Sequence, residues 1–236
     1  MKGILLCVAA VAALPIGSAT PNVAGALAIA HRNAKSQQAD KFASTVATPN
    51  IEGEEFSVSY GLSDGSASGI DAVQSGYYTY LDGEFSVSFS TDQAGYDPAN
   101  LKAIRAVAFF QAKHVVGGRY SGENAFGVTR VVTRYSIARN GIAFLGGRLG
   151  EVGKQEFSTP LSGPEARRLA RDLRVQITGS VARLPSGKLT ECKEKYRGPT
   201  LNYPVAATWK DCWVGALVRR VALIDSKDGR TLRAWE

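Results

Sequence analysis

Histidine is nearly absent from this chain: two residues in 236, His31 and His114, beside three cysteines. These shortages remove whole classes of chemistry. A zinc site draws its ligands mainly from cysteine and histidine. His31 falls in an N-terminal tail and two of the cysteines read as a pair, so carboxylates alone remain as ligands. No Asp-x-Asp-x-Asp-Gly calcium loop occurs among them. Neither a metal nor a cofactor is expected. A Ser/His/Asp hydrolase would need His114 as its base, but His114, between Lys113 and Val115, reads as part of a strand and no Gly-x-Ser-x-Gly elbow is present. A lone strand histidine is most simply structural.

Also missing is any run of about 20 apolar residues beyond the N-terminus, so no transmembrane helix is expected in the mature chain. A phosphate loop is absent as well: the glycine-rich run 117–127 lacks the Gly-Lys-Ser/Thr ending. Long runs of one charge do not occur. The net charge is +7, from 28 basic and 21 acidic residues, and one less without Lys2. Scattered charge of this size confers solubility first. It also favours anionic partners, such as an anionic glycan, lipopolysaccharide or an acidic envelope protein.

What is present begins with an export signal. Lys2 supplies the positive end, residues 3–14 the apolar run, and Pro15 with Gly17-Ser18-Ala19 the small-residue cleavage site. Cleavage is expected after Ala19, with Ala26-Leu27-Ala28 as a second possible site. Cys7 lies inside the apolar run and is lost with it. Cys192 and Cys212 remain, an even number in an exported chain, and are expected to form a disulfide. Closing that loop is worth about 3 kcal/mol in the chain-entropy model. The expected destination is the periplasm or the medium, where nucleic acid is a disfavoured partner.

The organisation read from the sequence is a signal peptide over 1–19, a flexible leader or linker over 20–50, and a single β-rich domain over 51–236. The leader could form a short helix to about Val46 but lacks a sustained apolar stripe, and His31 within it reads as solvated. The domain opens with alternating strands at 55–60, 77–81 and 84–90, the last two joined by the Asp82-Gly83 turn. Residues 53–60 and 83–89 look alike. A true repeat would recur at fixed spacing, and two amphipathic strands share this pattern by convergence.

The centre is a long hairpin. Residues 103–116 and 128–139 read as strands, flanking a connection over 117–127. On the first, Val107 and Phe109 share one face and Ile104, Ala106, Ala108 and Phe110 the other, so both faces are packed. A helix over 98–113 is the competitor, since Ala, Leu, Lys and Gln favour it. Asn140-Gly141 signals a further hairpin turn, with a strand over 141–149.

One helix is expected after Ser162. Ser162 and Glu165 form a capping box, Pro164 suits the first turn, and Ala166, Leu169, Ala170 and Leu173 make the buried stripe. Arg167, Arg171 and Arg174 fall on an adjacent stripe. It could bind phosphates, but a solvated helix face is the simpler reading. Arg168 and Asp172 are an i, i+4 pair. Strands are expected at 175–184, 189–195, 206–209, 212–224 and 230–235.

The expected fold is therefore mainly β (α+β): an antiparallel β-sandwich or strongly curved sheet with one packed α-helix. An outer-membrane barrel is the rival. The helix, the disulfide and the doubly apolar stretch 103–112 oppose it.

For function, the absence of catalytic signatures favours a non-catalytic binding or interaction module of the cell envelope. Its expected contacts are Arg119, Tyr120, Glu123 and Asn124 on the connection, with Arg130 and Arg134 on the second strand. A secreted hydrolase using two carboxylates is the first alternative, with Glu54, Glu55, Asp82, Glu84 and Glu123 as candidates. An envelope structural component is the second.

Overall fold

The computed structural model describes residues 17–65, 75–91, 106–123, 127–146 and 154–236. Residues 1–16, which hold most of the expected signal peptide, and Asn124 lie outside them. The described residues form two sheets and two helices. A β-rich α+β architecture is as expected, but with a second helix.

The first sheet runs in the order β1 (Ser18–Ala19), β2 (Glu55–Gly61), β9 (Leu173–Val181), β11 (Val205–Asp225), β7 (Thr129–Phe144) and β6 (Ala106–Glu123). Two further strands, β10 (Thr190–Arg197) and β12 (Arg230–Trp235), also pair with β11. All these pairings are antiparallel except β7 with β11. The second sheet is β3 (Ser63–Asp64), β4 (Tyr77–Leu81), β5 (Glu84–Ser90) and β8 (Lys154–Pro160). The two look-alike segments thus lie in different sheets.

Alternation explains the core. Phe56, Val58 and Tyr60 of β2, Val175 and Ile177 of β9, and Phe85, Val87 and Phe89 of β5 all belong to one buried cluster. That cluster joins the two sheets. Both faces of β6 are indeed packed at its start. Ala106, Ala108 and Phe110 enter the main cluster, while Val107 and Phe109 join Ala143, Leu184 and Trp213 in a second one. The Asp82-Gly83 turn joins β4 to β5 with positive φ at both residues, 51° and 81°, as a primed hairpin turn requires.

Two turn expectations fail. Asn140-Gly141 lies inside β7. A Cβ on Gly141 would stand 2.7 Å from Val107 Cγ1 and 3.1 Å from the Ala108 carbonyl. The glycine is there for close strand approach, not for a turn. Likewise β6 continues to Glu123, so residues 117–123 are strand rather than connection. The two strands expected over 206–209 and 212–224 are one, β11, because the charged Lys210-Asp211 step does not interrupt it.

The expected leader departs furthest. Residues Pro21–Ala39 form helix α1. Val23, Ala26, Leu27 and Ala30 are buried in the main core, at the i, i+3, i+4, i+7 spacing of one helical face. His31 is not simply solvated. Its Nε2 lies 2.8 Å from Asn140 Oδ1 and its Nδ1 lies 3.3 Å from Cys212 Sγ. Ser18 and Ala19 pair with Ser59 and Val58 of β2. Cleavage after Ala19 would leave α1 whole, whereas cleavage after Ala28 would cut through it.

Helix α2 (Gly163–Asp172) carries the expected capping box: Ser162 Oγ accepts from Glu165 N–H, and the Glu165 carboxylate accepts from Ser162 N–H at 3.1 Å. The hydroxyl and backbone N–H of Ser162 together hold the Glu165 carboxyl below its ordinary pKa. Arg168 pairs with Asp172 at 3.6 Å and also, at 2.8 Å, with the buried Asp225 of β11. Burial works to raise the Asp225 pKa. The hydrogen bond from Arg168 and the Lys227 backbone N–H outweigh it and hold the carboxyl below the usual range. That bond pins α2 to the end of β11.

If α1 is part of the folded unit, truncating its buried leucine must cost stability. Leu27→Ala should lower the unfolding free energy by about 2–5 kcal/mol, read from urea denaturation. An unchanged urea midpoint would restore the flexible leader.

Candidate functional site

β7 stays paired with β11 as far as Thr133, and past that residue the β6–β7 hairpin extends without a third strand among the described residues. Register runs from Val115↔Ser136 out to Glu123↔Thr129, with an irregularity between Val116 and Gly118. Val116 and Val131 are 63% and 62% exposed, so this distal arm presents apolar side chains to solvent. Large exposed valines rimmed by charge are a feature of contact surfaces.

Opposed residues of an antiparallel pair share a face. One face of the arm therefore carries Tyr120 and Val132, with Arg130 opposite Gly122 and Arg134 opposite Gly118. The glycines leave room across the ribbon. Arg134 lays its guanidinium over the Tyr120 ring, 4.4 Å from the centroid, worth about 0.5–1 kcal/mol at an exposed site. Val132 is buried at 3% exposure. Arg119 and Glu123 alternate onto the opposite face with Val131. Of the six expected contacts, Tyr120, Arg130 and Arg134 come together, Arg119 and Glu123 lie behind them, and Asn124 is outside the described residues. Neither Arg130 nor Arg134 has a carboxylate partner among the described residues. Arg139, Arg168, Arg183 and Arg219 all do.

The arm grows from a charged anchor that sequence reading missed. Arg139 of β7 and Asp211 of β11 are directly opposed in the parallel pair. Arg139 donates through Nε and Nη2 to the two Asp211 oxygens, both at 2.7 Å. The guanidinium also lies 3.7 Å from the Phe109 ring centroid. Lys195 Nζ adds a second cation 3.6 Å from Asp211. Asp211 is fully buried. No local signal reveals this pair, since its members are 72 residues apart.

Behind the sheet, Asn140 donates to Gln111 Oε1 at 2.8 Å while facing His31. The expected disulfide is present: Cys192 and Cys212 sit opposite each other on β10 and β11. His31 thus touches both the disulfide and the base of the arm.

The acidic residues weighed for hydrolysis are dispersed. Glu54 accepts from Asn22, and Glu55 pairs with Arg219. Asp82 and Glu84 sit at the β4–β5 turn, and Glu123 is on the arm. No group of three or more His, Cys, Asp or Glu side chains among the described residues could hold a metal ion. The cleft beside α1, about 700 Å³, is lined by Asn33, Arg183 and residues 45–48. Two of its polar side chains are internally used: Asn33 bonds both backbone groups of Val46, and Arg183 bonds Glu52 and the Gly187 carbonyl.

Comparison with family models, with curated proteins and with solved structures returned no match.

Removing one member of the buried pair leaves a charge without its partner. Asp211→Asn should cost about 3–5 kcal/mol in urea denaturation. The double substitution Arg139→Leu/Asp211→Leu should recover most of that loss, because an apolar pair needs no desolvation of charge. A double variant as unstable as the single one would contradict the anchoring role.

Proposed function

We propose that this protein is a non-catalytic binding module of the cell envelope, and that the β6–β7 arm is its contact element for an acidic partner. One observation carries the reading: Arg130 and Arg134 stand exposed on one face of the arm with no carboxylate partner among the described residues, and Arg134 stacks on Tyr120. A guanidinium held by an aromatic ring keeps its donors available for carboxylates. The exposed Val116 and Val131 add apolar area on the other face of the ribbon, and an extended acidic segment with alternating apolar residues laid along the arm would match both faces.

Export supports an envelope location. The N-terminal order of Lys2, apolar run and small residues has the form of a secretory signal. The Cys192–Cys212 disulfide suits an oxidising compartment. Among the described residues, no helix is long and apolar enough to cross a membrane.

The test is fluorescence anisotropy with a labelled peptide of alternating glutamate and valine. Wild-type protein should bind it, more weakly as salt screens the charges. Arg130→Glu/Arg134→Glu should abolish binding while leaving the circular dichroism spectrum unchanged. Equal binding by that variant, or equal binding of a Lys-Val peptide, would rule out the arm as an acidic-partner site.

A further inference from the structure

The four arginines at and after α2 have different fates. Arg168 is tied to Asp225 and Asp172. Arg174 turns back onto the Arg171 and Leu173 carbonyls. Arg167 and Arg171 are exposed, have no carboxylate partner among the described residues, and line an open cleft of about 560 Å³. The opposite wall is β4, which contributes Tyr78 and Tyr80, and β3, which contributes Asp64.

These walls are preorganised. Tyr78 stacks on Phe85 at 5.5 Å between centroids. Tyr80 donates its hydroxyl to the Leu161 carbonyl at 3.1 Å, which fixes its ring beside the start of α2. Asp64 is paired in register with Tyr78. Burial, with the Asp64 charge as a lesser cause, raises the Tyr78 pKa. The arginines are four residues apart, neighbours on one helix surface.

We propose that this cleft is a binding site for an acidic saccharide, a pyranose bearing a carboxylate. Each part of such a ligand finds its match. The guanidinium pair takes the carboxylate through charge-assisted hydrogen bonds. Tyrosine rings offer flat apolar surface to the C–H face of the sugar. The volume falls within the usual range of small-ligand sites, roughly 300–1,000 Å³. This site shares no residue with the arm, so the two stand or fall separately.

The experiment is isothermal titration of the intact protein with trigalacturonate, its methyl ester and inorganic phosphate. Trigalacturonate should bind, and the uncharged methyl ester should bind about tenfold or more weakly, as expected for the loss of a charge-assisted contact. Arg167→Ala/Arg171→Ala should remove binding, and Tyr80→Ala should weaken it. Both arginines are exposed, so circular dichroism and the urea midpoint of the double variant should match wild type. Arg130→Glu/Arg134→Glu should bind trigalacturonate normally. Failure of trigalacturonate to bind would overturn the proposal. So would equal affinity for the ester, binding unaffected by the arginine double variant, or tighter binding of inorganic phosphate.

Discussion

Backbone pairing along both edges of β11 is the constraint on which the rest of the molecule depends. This strand is 21 residues long. On one edge it takes β10 at residues 207–214 and then β9 at 216–225. On the other it takes β7 at 205–216 and then β12 at 221–225. The register shift between Val218 and Arg220 lies near the changeover, where a bulge adds the twist that lets one strand serve two sets of neighbours. The cross-links follow from this arrangement. Cys212 joins β11 to β10, Asp211 joins it to β7, and Asp225 joins it to α2.

The ends of β11 set the two proposed sites apart. Its first half fixes β7, and through β7 the root of the arm. Its last half fixes β9 and, by way of Asp225, the helix that carries Arg167 and Arg171. The N-terminal helix seals the first half from behind. His31 lies against Cys212 and Asn140 there, and Leu27 enters the main core. A rigid sheet presenting mobile or exposed contact elements is a common division of labour in binding proteins.

Much of this was legible residue by residue. Phe56, Val58 and Tyr60 alternate, Asp82-Gly83 turns, and Ser162 caps with Glu165, each by local chemistry that tertiary packing then obeys. Where packing overrode local chemistry, the reading failed. Asn140-Gly141 has the composition of a turn, yet Gly141 is held flat against Val107 and Ala108. Lys210-Asp211 looks like a break because a buried aspartate makes sense only with Arg139 beside it. The stripe of α1 escaped notice because two of its four buried residues are alanines. On the arm, period two puts Arg130, Val132 and Arg134 on one face of β7. It does not say that Arg119 and Glu123 face away, because residues 117–123 have the glycine-rich composition of a connection. Nor could spacing on α2 separate Arg174, bound to carbonyls, from Arg167 and Arg171.

β11 builds a rigid sheet, and the distal part of the β6–β7 arm projects from it. Native-state hydrogen exchange tests it most directly, since amides opened by local motion exchange with a lower free energy than those that need global unfolding. Backbone amides of Ala207, Cys212 and Val214 should exchange only with global unfolding, while those of Arg119, Ser121 and Val131 should exchange through smaller openings. Equal protection in the arm and in β11, or earlier exchange in β11, would contradict it.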